Sequence, residues 1–322
     1  MTQGSAARSV RRCEEDDVLA ALLAPRKHLP SRLLYDDAGA ELLEQLMGLE
    51  CFYPAATELG LLRQHGSTIA HHVGAEARVI EPGCADGVGS RILVSALERP
   101  SSYVPIDLAP ELLRRSASLM RAALPKLEVQ PLAADFLRGF EPPVPQHEWR
   151  RTLMYVPGSR IGTLEPSEAR AFLKMLGKVA GPERLLLLGA DGTRDPELLH
   201  RAYDDEYGVT AELHKHVLAQ LNATRGATFD LDRFEHRAEW NEAASRVEQQ
   251  LVSLRRQIVR IEDVTLTFAE GESISMGHCY KHTPGAMQAI LAASGWRPRH
   301  VFTAPHVPFR LWLCEPHLDA LI

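Results

Sequence analysis

The chain has 322 residues, of which 45% are hydrophobic and 24% charged, enough for one large folded unit or two smaller ones. A formal net charge of −6 leaves no basic footprint for nucleic acid or an anionic membrane surface, and no stretch approaches the ~18 consecutive apolar residues of a membrane-spanning helix. The five cysteines, Cys13, Cys51, Cys84, Cys279 and Cys314, are an odd, scattered set without CxxC, which reads as reduced thiols in a cytoplasmic protein.

The N-terminal MTQGSAARSVRRCEEDD has basic residues but no apolar segment behind them, so no secretory signal is expected, and its first residues read as a loose tail. Helical apolar spacing predicts helices over 14–27 (Val18, Leu19, Leu22, Leu23) and 38–49 (Leu42, Leu43, Leu46), with a third over 55–73. The pattern then changes. A strand at Arg78–Glu81 enters a Gly-rich turn and a helix. SSYVPIDL is a second strand ending in Asp107, and LEVQPLAADFL a third ending in Asp135. RRTLMYVPGSRIGTL is a fourth, backed by the helix EPSEARAFLKMLGKVA, and ERLLLLGADG is a fifth. Strands alternating with helices, acidic or Gly-rich at their ends, predict an α/β fold built on a doubly wound parallel sheet. Ligands bind such sheets at the carboxyl ends of the strands. Residues 196–226 read as helical. A hairpin at AEGES is expected to pair 259–269 with 272–280, TPGAMQAILAASGW is a helix, and a final strand over 300–314 rejoins the main sheet.

Three strand ends carry the chemistry. Glu81 precedes Gly83 and Gly87 in a tight turn that suits close backbone approach to a nucleotide. Asp107 can accept two ribose hydroxyls. Asp135 can bind an adenine amino group and Phe136 can cover its ring. Each alone is matched by a plain turn or capping acid; together and in order they form the layout of an S-adenosylmethionine site. A dinucleotide site would share the first two features but keep more glycines where Ala85 and Asp86 stand.

The segments SRLLYDD, CFYPAATE, YVPIDLAPELL, GSRIGTLEP, AYDDEYGVT and YKHTP together resemble the histidine-specific methyltransferase family, from about Pro25 to the C-terminus. Members methylate histidine on the ergothioneine route, and fungal relatives a prenylated tryptophan. The resemblance implies a Rossmann-like methyltransferase domain over 61–196 and 287–322. A discontinuous α+β substrate domain would cover 14–60 and 197–286. It implies S-adenosylmethionine as cofactor, a small amino-acid-like substrate and a monomer. Carried over residue by residue, Glu81, Gly83, Asp107, Asp135, Phe136, Gly158 and Ser159 would hold the cofactor. Tyr35 and Thr163 would position the amine, and Tyr53 and Tyr203 the carboxylate, since phenols donate to one and accept from the other.

This chain departs from the family in two places. In the first turn, Ala85 replaces a glycine, Gly89 replaces a lysine, and Asp86 is added. Asp86 would repel a donor carboxylate unless it turns away or pairs with a cation such as Arg91. In the substrate pocket, Thr163 replaces an asparagine and Gln249 lies where a ring-lining residue is usual. The family's imidazole-gripping glutamate and serine become Gly277 and Cys279. Losing a buried carboxylate–imidazole bond is a large discrimination, so the expected substrate is an amino acid or derivative other than histidine. True histidine Nα-methylation and a cofactor-binding partner protein without turnover are the alternatives.

His278, Cys279 and His282 also invite a metal reading, with His214 and His216 as further ligands. Helical neighbours two apart diverge by about 200°, and strand neighbours 278 and 279 face opposite sides. No metal is therefore expected. Cys279 lacks a nucleophile's supporting group, and the stretch reads as a substrate wall.

Overall fold

The structure, a computed structural model, describes residues 17–317. The expected N-terminal tail and Cys13 lie outside that range. Helix α1, described over 17–23, stops short of the expected 27. Helices α2 (Asp37–Gly48) and α3 (Tyr53–Val73) follow, and Pro54 in the first turn of α3 starts it two residues before the expected 55. Then come β1 (Ala77–Pro82), α4 (Val88–Ala96), β2 (Ser102–Asp107), α5 (Pro110–Ala123), β3 (Glu128–Val129), β4 (Leu132–Ala133), β5 (Arg151–Val156), α6 (Pro166–Ala180) and β6 (Arg184–Asp191). Strands β1, β2, β5 and β6 pair in parallel, as the alternation predicted. All six residues of β1 and of β2 are buried, as in a sheet covered on both faces. The expected third strand is broken: Gln130 and Pro131 separate β3 from β4, and each pairs briefly with β2.

After β6 the chain forms α7 (Pro196–Tyr203) and α8 (Val209–Arg225) instead of one helical run. Gly208 at φ 73 breaks it, and the Asp205 carboxylate accepts Val209 N and Thr210 N at 3.0 and 2.8 Å to start α8. Strands β7 (Phe234–Asn241) and β8 (Arg246–Ser253) are antiparallel, and β9 (Gln257–Ile261) pairs with β10 (Val264–Phe268). The hairpin expected at AEGES does not form. The two-residue turn Glu262–Asp263 closes β9 on β10, whose Val259, Ile261, Leu266 and Phe268 face one core. The AEGES segment instead folds back onto Ser253, with Gly271 N donating to Ser253 O at 2.8 Å. It delivers β11 (Ser273–Tyr280) to β8, antiparallel. Helix α9 (Pro284–Ala293) leads to β12 (Trp296–Thr303) and β13 (Phe309–Pro316). The single final strand is thus two antiparallel ones, divided by a turn holding Pro305 and Pro308, and β13 rejoins the sheet beside β6.

The main sheet runs β12-β13-β6-β5-β1-β2-β3. On one face α6 and α9 bury Phe172, Leu176, Met287 and Leu291; on the other, α3, α4 and α5 bury Leu62, Ile69, Leu93 and Met120. The β2 and β5 directions diverge at β1, and a crevice opens at the strands' carboxyl ends there. Among the described residues no helix is long and apolar enough to cross a membrane.

Candidate active site

Two cavities open at those strand ends, one of about 530 Å³ beside the β1 turn and one of about 510 Å³ between the β2 end and β11. They share Tyr35, Leu43, Phe52, Gly158, Arg160 and Thr163 as a common wall.

The first cavity is lined by Glu81, Gly83 and the turn that follows. Gly83 takes φ 77, and its N–H donates to Ile106 O at 2.7 Å, tying the turn to β2. Glu81 is buried and accepts from Tyr103 Oη at 2.5 Å and from Ser90 Oγ; burial pushes its carboxyl up to about 8. Buried Glu58 accepts from Gly158 N at 2.6 Å and Tyr155 Oη at 3.1 Å, and burial pushes it up to about 7. Ala85 adopts φ 45, a left-handed conformation that glycine would take without strain. Asp86 does not pair with Arg91 among the described residues. It turns back to accept Val88 N at 2.9 Å, and burial raises its carboxyl. A side chain at Gly89 would press Tyr155 Oη at 3.2 Å, which fits the absence of a lysine.

The second cavity is lined by Asp107, Asp135, Phe136, Ser159, Tyr203, Gln249, Gly277 and Cys279. Asp107 Oδ1 accepts Ala109 N at 3.1 Å, and its other oxygen accepts no hydrogen bond among the described residues. Asp135 accepts Leu137 N and meets Arg138 at 3.3 Å. Phe136 is buried against Phe172. Ser159 Oγ accepts Asp191 N at 3.0 Å, which fixes the start of the 160–163 turn. A carboxylate with an open oxygen, a buried ring and a close-approach glycine fit the ribose, base and backbone contacts of S-adenosylmethionine.

Tyr35 is half-buried, and its Oη lies 3.5 Å from Arg160 Nη1. Thr163 Oγ1 donates to Arg160 O at 2.8 Å, so its lone pairs face outward as acceptors. Tyr53 lies behind the wall, not on it: its hydroxyl donates to Asp191 Oδ2 at 2.5 Å. Asp191 also receives Lys281 Nζ at 2.7 Å, and Lys281 donates to Tyr203 Oη at 2.8 Å and Cys279 Sγ at 3.6 Å. Burial opposes ionisation of Asp191, but Lys281 outweighs it and holds the carboxyl below the ordinary range. Burial likewise opposes the charge of Lys281, and Cys279 and Asp191 outweigh it. Burial keeps the Tyr203 phenol neutral. Backed by an ammonium, that phenol is a strong donor.

Gly277 sits opposite Gln249 at a β-bulge, with φ 140 and nothing among the described residues within 4 Å of where a Cβ would be. A Cβ on Gly162 would stand 2.6 Å from Tyr280 O, so that glycine lets β11 press on the 160–163 turn. The imidazoles do not converge. His214 Nδ1 meets His236 Nδ1 at 3.0 Å, His216 meets Asp36 at 2.7 Å, His278 lies 3.7 Å from Glu165, and His282 stacks on Tyr280.

The family profile described as "Histidine-specific methyltransferase, SAM-dependent" matches residues 14–316. The chain belongs to that family. It is 36% identical over 314 residues to histidine N-alpha-methyltransferase of Mycolicibacterium smegmatis, covering 96% of this chain and 95% of that one. The Mycobacterium tuberculosis protein of the same name is 35% identical over 284 residues, 87% of each chain. A 4-dimethylallyltryptophan N-methyltransferase of Aspergillus fumigatus is 23% identical over 305 residues, 90% of each. This methyltransferase is therefore an S-adenosylmethionine-dependent enzyme of Rossmann-like α/β fold, related to histidine N-alpha-methyltransferase.

Sequence reasoning missed four of its polar groups. Asp191 ends a strand, as Asp107 does, and that position was the available signal. Glu58 and Lys281 lie inside the matched segments CFYPAATE and YKHTP. Arg160 is the variable position of GSRIG.

Proposed function

We propose that the enzyme methylates a nitrogen of an amino acid or amino-acid-derived small molecule other than histidine. The observation that carries this is Gly277. Its φ of 140 favours glycine, so the position has lost both the glutamate and the backbone that a side chain prefers. Cys279, at the serine position, is occupied by Lys281. Neither side chain offers a histidine imidazole a carboxylate.

When bound, S-adenosylmethionine supplies an electrophilic methyl group on a sulfonium. We assign Glu81, Gly83, Asp107, Asp135, Phe136, Gly158 and Ser159 to holding it. These fall in the unit 61–196 with 287–322, and the acceptor is assigned chiefly to 14–60 with 197–286. Tyr203 donates to the acceptor carboxylate, with Lys281, Asp191 and Tyr53 fixing its orientation. Tyr35 and Thr163 offer oxygens that accept the N–H bonds of a neutral amine and so aim its lone pair, and the ammonium proton leaves to water first. Phe52, Leu43 and Phe136 exclude water from the junction.

A second reading, histidine Nα-methylation, is favoured by the 36% identity to an enzyme of that name. Calorimetric titration of L-histidine and L-tryptophan into the enzyme saturated with S-adenosylhomocysteine separates the two. Weak or absent histidine binding is expected; tight histidine binding supports the second reading.

A further inference from the structure

Arg160 is the charged side chain common to both cavities. The other charged groups that line the first cavity are acids, Glu44, Glu58, Glu81 and Asp86, with no other lysine or arginine among the described residues. In the second, Arg32 pairs with Asp17 and Arg138 with Asp135, so those cations are engaged. Arg160 differs. Among the described residues its guanidinium has one hydrogen-bond partner, Tyr35 Oη at 3.5 Å, and no carboxylate within ion-pair distance. It lies over the rings of Phe136 at 5.2 Å and Tyr35 at 5.8 Å. Its Nε is 2.5 Å from where a Cβ on Gly83 would stand, so that glycine makes room for it.

The backbone beneath this side chain is fixed. Ser159 takes φ 55 and bonds Asp191 N, Ile161 is fully buried, and Gly162 is held against Tyr280 O. A stationary Cα with a long side chain reaches either cavity. Burial opposes the guanidinium's charge, Tyr35 and, from beyond ion-pair distance, Asp107 favour it, and the aromatic faces do not replace a paired anion. The planar fork matches a carboxylate in two-point contact, which no group among the described residues supplies.

We propose that Arg160 is the carboxylate receptor of this cleft. Two molecules can bring the carboxylate: the amino-acid end of the methyl donor, for which the first cavity has many acids and this single cation, or the acceptor. The proposal rests on the methyl-transfer reading of the cleft and assigns it a residue outside the sites carried over from the family.

The test is calorimetry on the full chain and on Arg160→Met and Arg160→Lys. The first arm compares S-adenosylhomocysteine with 5′-methylthioadenosine, which lacks the amino-acid end. The second, in saturating S-adenosylhomocysteine, compares L-histidine, L-tryptophan and L-glutamate with histamine and tryptamine. If the donor carboxylate is received, Arg160→Met weakens S-adenosylhomocysteine about tenfold or more, spares methylthioadenosine, and Arg160→Lys recovers part of the loss. If the acceptor's is received, the same pattern separates the amino acids from the amines. Arg160→Met should keep a cooperative thermal unfolding transition, so that a lost affinity is not lost folding. Equal affinities in both arms overturn the proposal. Failure of the parent chain to bind S-adenosylhomocysteine would instead overturn the cofactor assignment beneath it.

Discussion

Replacing Lys281 by methionine tests the buried polar cluster behind the second cavity. Lys281 and Asp191 side chains are both 0% exposed, and they meet at 2.7 Å. Methionine approximates the volume but leaves Asp191 without its cation. Breaking a buried pair from one side costs about 3–5 kcal/mol. Tyr53 Oη, Thr193 Oγ1 and Thr193 N still donate to Asp191, at 2.5, 2.7 and 3.0 Å, so the expected loss is about 3 kcal/mol, the lower end. The pH dependence has a definite sign. In the parent, Asp191 is held below its ordinary value, so its contribution is present above that value and is lost on acidification through the lower folded one. Without Lys281, burial prevails and raises it, so the variant weakens as pH rises. Urea unfolding at about pH 5 and about pH 8 should show the deficit growing toward the higher pH. Asp191→Asn in the same chain should recover part of it. A loss below about 1 kcal/mol at the higher pH would show that Lys281 does not hold the Asp191 charge in the core.

Other expectations concern the first turn and the pocket. Glu58 and Glu81, raised by burial to about 7 and about 8, bind more protons folded than unfolded. Stability of the donor-free protein should therefore fall as pH rises from near 4.5 toward 8, and Glu58→Gln should flatten the slope measured by thermal unfolding. The cationic donor should expel protons from these carboxyls, giving binding enthalpies near neutral pH that differ between phosphate and Tris buffers. Ala85→Gly relieves a left-handed alanine, so it should be neutral or stabilising by up to about 1 kcal/mol, against the usual cost of Ala→Gly. Gly277→Glu should cost about 1–3 kcal/mol through its backbone angle. Combined with Cys279→Ser, it should raise histidine affinity about tenfold or more by calorimetry.

The sheet was legible because its signal is local: apolar runs such as RLLLLGAD, and acids where β1 and β2 end. The partner of β11 was not. AEGES carries hairpin residues, but Val259 and Leu266 find a shorter turn, and a strand's partner is decided by which core its alternate residues fill. In the site, Gly83, Asp107 and Phe136 stood out because their order along the chain matches their order in space. The Lys281–Asp191 pair joins residues 90 apart, and its burial gives it its role. Tyr53 shows the converse: the segment match named it, and the fold turned its hydroxyl to Asp191. Gly277 was readable as a lost side chain, whereas the bulge and its φ required the three-dimensional pairing with Gln249.

The proposed function turns on a pocket that takes an amino acid other than histidine. The most direct measurement is turnover with isotopically labelled S-adenosylmethionine against an equimolar mixture of amino acids, including histidine and tryptophan, with methylated products identified by mass spectrometry. A labelled N-methyl product from a component other than histidine is expected; trimethylhistidine as the dominant product would overturn the proposed acceptor.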